Sequence, residues 1–177
     1  MKLLITFLVL FAFVAKAQNP YATLVYDSLV IYDYGNIMGY EPGPNISKKG
    51  NTYSFGIKPE KSAKLTKVEA KEFSLRIGAD SSYGQGAASC YDPHFAAMYY
   101  KGGRAIANVE ICMDCNRVDP SHDIIAQNQL PGKTDDGDVY YLGTGMSREF
   151  RLYMKALLTK YDFSHIPHGG SMFDTDD

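Results

Sequence analysis

Lys101-Gly102-Gly103-Arg104 restricts the fold of this chain more than any other four residues do. A glycine pair accepts the positive φ angles that a two-residue hairpin turn demands, and this pair stands between two apolar runs, residues 95–100 (FAAMYY) and 105–112 (AIANVEIC). Folding back there sets Tyr100 across from Ala105, Met98 from Ala107 and Ala96 from Val109. The same register carries on to His94 with Ile111, Pro93 with Cys112 and Cys90 with Cys115. One face of the hairpin is then almost entirely apolar, as a strand buried on that side requires. All three cysteines of the chain, together with His94, meet at its open end.

Three chemistries suit that cluster. Cys90, His94, Cys112 and Cys115 form two short knuckles, C-x3-H and C-x2-C, and offer soft sulfur plus imidazole for a closed, structural zinc site. A strictly regular ladder points His94 and Cys112 to opposite faces, so this site needs a break in regularity, for which Pro93 is well placed. Alternatively Cys90 and Cys115, directly opposite each other, form a disulfide, a Cys112 bridge to either partner being also within reach; one thiol is left over, and His94 is a hydrogen-bonded histidine at the core edge. The third chemistry is a thiol redox centre or cysteine nucleophile. Cys112-x-x-Cys115 has the spacing of a redox pair, but it ends a strand instead of opening a helix, and Asp114 beside it opposes thiolate formation. Gln85 and Cys90, with His122 or His165 as base, are a faint match to a cysteine protease site that lacks the helix after the nucleophile.

The rest of the chain reads as an α+β domain. Residues 22–34 are rich in Val, Leu, Ile and Tyr and predict one strand or two short ones; residues 35–50, with Gly39, Pro42, Gly43 and Pro44, predict a loop. A short strand is expected over 52–57. Thr66-Lys67-Val68-Glu69 is a capping box and predicts a helix over 67–77 that Gly78 stops. Residues 80–89 read as a small-residue loop leading to Cys90, and 118–138 as a long connection with a helical turn near Ile124. Residues 139–142 read as a strand. Ser147 caps a second helix over 148–160, whose apolar side is Phe150, Met154, Leu157, Leu158 and Tyr161. The tail from about residue 164 is expected to be loose; His165-x-x-His168 within it has the residue types to contribute to a metal site, but in a flexible end it reads more simply as a surface pair. Gly143-x-Gly145 is half of a phosphate loop and lacks the remainder.

Residues 1–17 have a positive start at Lys2, an apolar run from Leu3 to Ala15 and small residues at Ala15 and Ala17, the pattern of a secretory signal peptide. That leaves residues 18–177 as one domain of an exported protein, periplasmic or extracellular. The apolar run is short for a bilayer span and no second one follows, so stable membrane insertion is not expected. Twenty acidic residues against 18 basic ones argue against nucleic-acid binding, which needs basic patches. No partner, substrate or oligomeric state is legible.

Residues 83–116, running from Tyr83-Gly84 through Cys90-Tyr91-Asp92-Pro93-His94 and the hairpin to Ile111-Cys112-Met113-Asp114-Cys115, resemble the signature of small exported bacterial proteins of unknown function, mostly from Bacteroidetes. The likeness extends loosely to both helices. Phe95 stands where that group often has a second histidine or a small residue, and Met113 where an aromatic is frequent. The resemblance implies that the cysteine cluster defines the group and implies no activity. The combined expectation is an antiparallel sheet containing the 95–112 hairpin, packed by two helices, with zinc held by Cys90, His94, Cys112 and Cys115.

Overall fold

The computed structural model describes residues 19–34, 46–49, 52–56, 58–88, 90–127, 131–133, 136–137, 139–141, 144–166 and 173–174. The strands are β1 (Ser28–Asp33), β2 (Ile46–Lys49), β3 (Thr52–Phe55), β4 (Lys61–Lys64), β5 (Tyr83–Gly86), β6 (Phe95–Lys101), β7 (Arg104–Cys112), β8 (Arg117–Pro120), β9 (Pro131–Lys133), β10 (Val139–Tyr141) and β11 (Thr144–Met146). The helices are α1 (Lys67–Arg76) and α2 (Arg148–Lys160), with single 3-10 turns at Asp80–Ser82 and Ile125–Gln127. A five-stranded antiparallel sheet in the order β4-β1-β6-β7-β8 forms the centre, so the fold is α+β as expected. Shorter ladders join β2 to β3, β5 to β11 and β9 to β10. The β5 ladder lies in the stretch expected as a loop, because its partner β11 is some 60 residues away and lends no local signal. Part of the loop expected over 35–50, residues 35–45 and 50, lies outside the described residues.

Gly102 and Gly103 turn the β6–β7 hairpin with φ of 56° and 75°, as the glycine pair requires. The register differs from the expected one beyond the first pairs. Tyr100 faces Ala105, but Tyr99 faces Ala107, so Ile106 is an extra residue and every later pair is shifted: Met98 with Asn108, Ala97 with Val109, Ala96 with Glu110, Phe95 with Ile111. The reason is burial. The unshifted register would set Glu110 against Phe95 and Asn108 against Ala97. The bulge instead groups Phe95, Ala97, Tyr99, Ala107, Val109 and Ile111 on the face that both helices cover.

That face forms the main core, with Leu29 and Ile31 of β1, Phe73 of α1, and Phe150, Met154, Leu157 and Leu158 of α2. The opposite face is also closed: Tyr34, Ile46, Ala96, Met98 and Ala105 cluster there, and the Ile46 amide donates to the buried Glu110 carboxylate at 3.1 Å. Both helices begin as their caps dictate. Thr66 and Glu69 make the reciprocal capping box of α1, and Ser147 Oγ accepts from the Phe150 amide. α1 buries Ala70, Phe73 and Ser74, while Val68 and Leu75, which fit the apolar pattern, are exposed. Asn19 closes its far end by donating to the carbonyls of Ser74 and Leu75, both at 2.9 Å; a Cβ on Gly78 would collide with that side chain.

Glu69 also ties the two helices together. Besides Thr66 it accepts from Lys160 Nζ at 2.5 Å and from the Tyr161 hydroxyl at 2.8 Å. Burial alone would raise its carboxyl, but these donors outweigh it and hold the group at about 2, below its ordinary 4.5. The folded state therefore gains stability that is complete above the ordinary value and is lost as pH falls through the folded one. Glu69→Gln keeps the capping box, which glutamine also completes, and is expected to cost up to about 1 kcal/mol at neutral pH by removing the charge that Lys160 and Tyr161 bond. Its urea midpoint should be flatter than that of the parent between about pH 4.5 and pH 2.

Candidate metal centre beside the disulfide

The turn between β7 and β8, residues 113–116, carries Asp114 and Cys115 and is clamped from three sides. Asn116 takes a positive φ of 54° to reverse the chain. Its side-chain amide donates to the carbonyls of Gly86 at 2.8 Å and Met146 at 3.0 Å, which hooks the turn onto the β5–β11 ladder. Gly145 sits so close that an added Cβ would lie 2.4 Å from Asn116 Nδ2 and 2.5 Å from the Gly86 carbonyl. This close approach, not phosphate binding, explains that glycine. From α2, the fully buried Arg151 donates to the Met113 carbonyl at 2.5 Å and to Asn116 Oδ1 at 3.2 Å, and its Nε pairs with Asp174 at 2.9 Å.

Cys90 and Cys115 are joined as a disulfide, closing 25 residues of chain with their Cα atoms 5.7 Å apart. The Ala88 amide donates to the Cys115 carbonyl at 2.9 Å beside it. Two of the four residues expected to hold zinc thus have their sulfurs bonded to each other, and such sulfurs are not thiolate ligands. Cys112 is a free, buried thiol whose sulfur accepts from the Cys115 amide at 3.2 Å. Burial pushes this thiol up; the amides of Asp92 and Cys115 pull the other way, and the Asp114 and Asp92 charges add to the rise. A thiol so placed stays protonated at neutral pH and makes a poor nucleophile toward substrates in solvent.

His94, the fourth expected ligand, is directed elsewhere. Its ring stacks on that of His165, with centroids 3.6 Å apart and planes 17° from parallel. His165 Nε2 lies 2.7 Å from Asp114 Oδ2, and His94 Nε2 lies 3.5 Å from Asp92 Oδ2. The chain end that delivers His165 is held at its described residues. Phe163 is buried near Phe95, and the Ser164 amide and hydroxyl donate to the buried Asp33 carboxylate at 2.5 and 3.0 Å. Farther on, Asp174 is paired with Arg151 and Lys155. His168 lies outside the described residues. His122 sits apart, with Nδ1 3.1 Å from the Ser121 hydroxyl and its amide bonded to Tyr21.

Among the described residues, His94, Asp114 and His165 are a group of metal-ligating side chains whose ligand atoms all lie within 4.8 Å of one another. The His165 hydrogen bond, the largest influence, holds the Asp114 carboxyl below its usual range against partial burial; the charges of His165, His94 and Arg151 assist. The carboxylate is therefore ionised at neutral pH. Tetrahedral zinc sets neighbouring ligand atoms about 3.3 Å apart, so the Asp114–His165 pair would open by roughly 0.6 Å and His94 would close in by up to about 1.5 Å. Both shifts require the stacked rings of His94 and His165 to turn apart so that their nitrogens converge. The side chains of His94, Asp114 and His165 are 11, 51 and 24 % exposed, which leaves an approach from solvent.

In the sequence, His94 belongs to the expected zinc set and the other two do not. Asp114 registers only as a charge beside Cys115, and His165 as a candidate base and as half of a tail histidine pair. Their partnership spans 51 residues and depends on where α2 ends, which no local pattern encodes. No family model, curated protein or solved structure matches the chain.

Proposed function

We propose that this is an exported, disulfide-clipped domain that binds a transition-metal ion, zinc foremost, through His94, Asp114 and His165. The observation that carries the reading is the convergence of two imidazoles and an ionised carboxylate from three separate segments within 4.8 Å. Two nitrogen donors and one oxygen suit zinc and its late first-row neighbours better than calcium or magnesium, which prefer all-oxygen shells. Three protein ligands leave a position for water or for a group from a binding partner. Export is part of the reading, supported by the N-terminal signal pattern and by a disulfide of the kind that persists in oxidising compartments. Among the described residues, no helix is long and apolar enough to cross a membrane.

Zinc titration of the oxidised protein against a competing chelator tests the reading. About one ion per chain is expected, with His165→Ala and Asp114→Asn each weakening binding by at least about tenfold, and Cys112→Ala leaving it unchanged. Full-strength binding by His165→Ala, or loss of binding in Cys112→Ala, would refute it.

A further inference from the structure

The three cysteines contain more sulfur chemistry than one crosslink uses. Cys115 is bonded to Cys90, yet its own amide donates to the sulfur of Cys112 at 3.2 Å, so the free thiol already rests against the residue that carries the disulfide. The two are three positions apart in a tight turn, the Cys-x-x-Cys spacing of redox-active pairs. Cys90, by contrast, is an exposed residue on the loop before β6, whereas Cys112 and Cys115 are buried. We infer that Cys115 is shared between two alternative disulfides, and that exchange from Cys90–Cys115 to Cys112–Cys115 moves the one free thiol from the interior to the surface.

The step balances within the chain. Cys112 attacks Cys115 Sγ slowly, through the small ionised fraction that burial allows and that the Asp92 and Cys115 amides stabilise, its proton passing to water; the Cys112–Cys115 bond forms as the Cys90–Cys115 bond breaks. Cys90 leaves as a thiolate and takes a proton from water. No net oxidation or reduction occurs, and no outside oxidant is needed. The leaving sulfur departs into solvent, while the attacking sulfur is held in place by the clamped turn.

The exchange bears on the metal centre. Cys90 lies four residues before His94 and Cys115 directly follows Asp114, so the existing bond ties together the two segments that carry these ligands. After exchange Asp114 keeps its turn but His94 loses its tether, and ion affinity should fall by about tenfold or more. This regulatory consequence rests on the metal-binding reading; the exchange itself does not.

The test uses oxidised, metal-free full-length protein incubated with N-ethylmaleimide under native conditions, followed by acid quench and non-reducing peptide mapping. The expected product is a single adduct at Cys90 on a chain whose disulfide is Cys112–Cys115, accumulating with time because the reagent traps the released thiol. Cys112→Ala should give no adduct. In parallel, Cys90→Ser should form the Cys112–Cys115 bond when air-oxidised. An adduct at Cys112 with Cys90–Cys115 intact would overturn the inference, as would a chain that labels only after denaturation. Zinc affinity of the trapped adduct is then measured separately: unchanged affinity in a chain that has exchanged overturns the regulatory consequence alone.

Discussion

Replacing Arg151 with alanine is expected to lower stability by about 3–5 kcal/mol, the usual result of removing one partner from a buried charged network. Arg151 is fully buried on α2, and its fork reaches in two directions at once, to Asp174 on one side and to the Met113 carbonyl and Asn116 side chain on the other. The alanine variant leaves those acceptors inside the protein without this donor and removes a large side chain from a packed region. For a domain of this size the thermal midpoint should drop by about 10 °C or more. Lysine should rescue little, because a point charge on a flexible stem cannot bond in both directions as a planar guanidinium does. Methionine should recover part of the packing loss and none of the hydrogen bonding. Thermal and urea unfolding of the three variants checks the order Lys and Met above Ala, all below the parent. A parent-like midpoint for the alanine variant would mean that the turn does not depend on α2.

The second large effect concerns the crosslink. A chain carrying Cys90→Ser and Cys112→Ala, which can form no disulfide, is expected to lose about 3.5 kcal/mol, the loop-closure entropy of a loop of this length. Cys90→Ser alone should lose less. If Cys112 and Cys115 then join, the much shorter loop still restrains the unfolded chain, by roughly 1.5 kcal/mol on the same scale. Urea unfolding with and without reductant separates the cases: the single variant should respond to reductant and the double variant should not. Zinc affinity should weaken in both, because each has lost the bond that holds the His94 segment against the Asp114 turn.

Much of the framework is legible locally. Thr66 with Glu69 and Ser147 announce the two helices because capping is a matter of three or four consecutive residues. Gly102 and Gly103 announce the hairpin because their φ values are unfavourable for most other residues. What escapes local reading depends on distant partners. The bulge at Ile106 exists because Glu110 and Asn108 must leave the core face, a demand set by β6, β7 and both helices jointly. Arg151 falls on the apolar side of α2 because acceptors from a turn more than 30 residues earlier wait there, and helical periodicity alone assigns a charged residue to solvent. The cysteine cluster was visible as a cluster, and the Cys90–Cys115 pairing was one of its legible outcomes. That the imidazole beside it turns to a second histidine and an aspartate was not visible, since the tail that supplies His165 is positioned by Phe163 and by Ser164 on Asp33.

X-ray absorption at the zinc edge, on oxidised protein loaded with one equivalent of zinc, tests the central claim most directly. The spectrum should fit nitrogen and oxygen neighbours at about 2.0–2.2 Å, with imidazole outer-shell scattering and no sulfur. A sulfur shell at about 2.3 Å would contradict the account and return the ion to the cysteines.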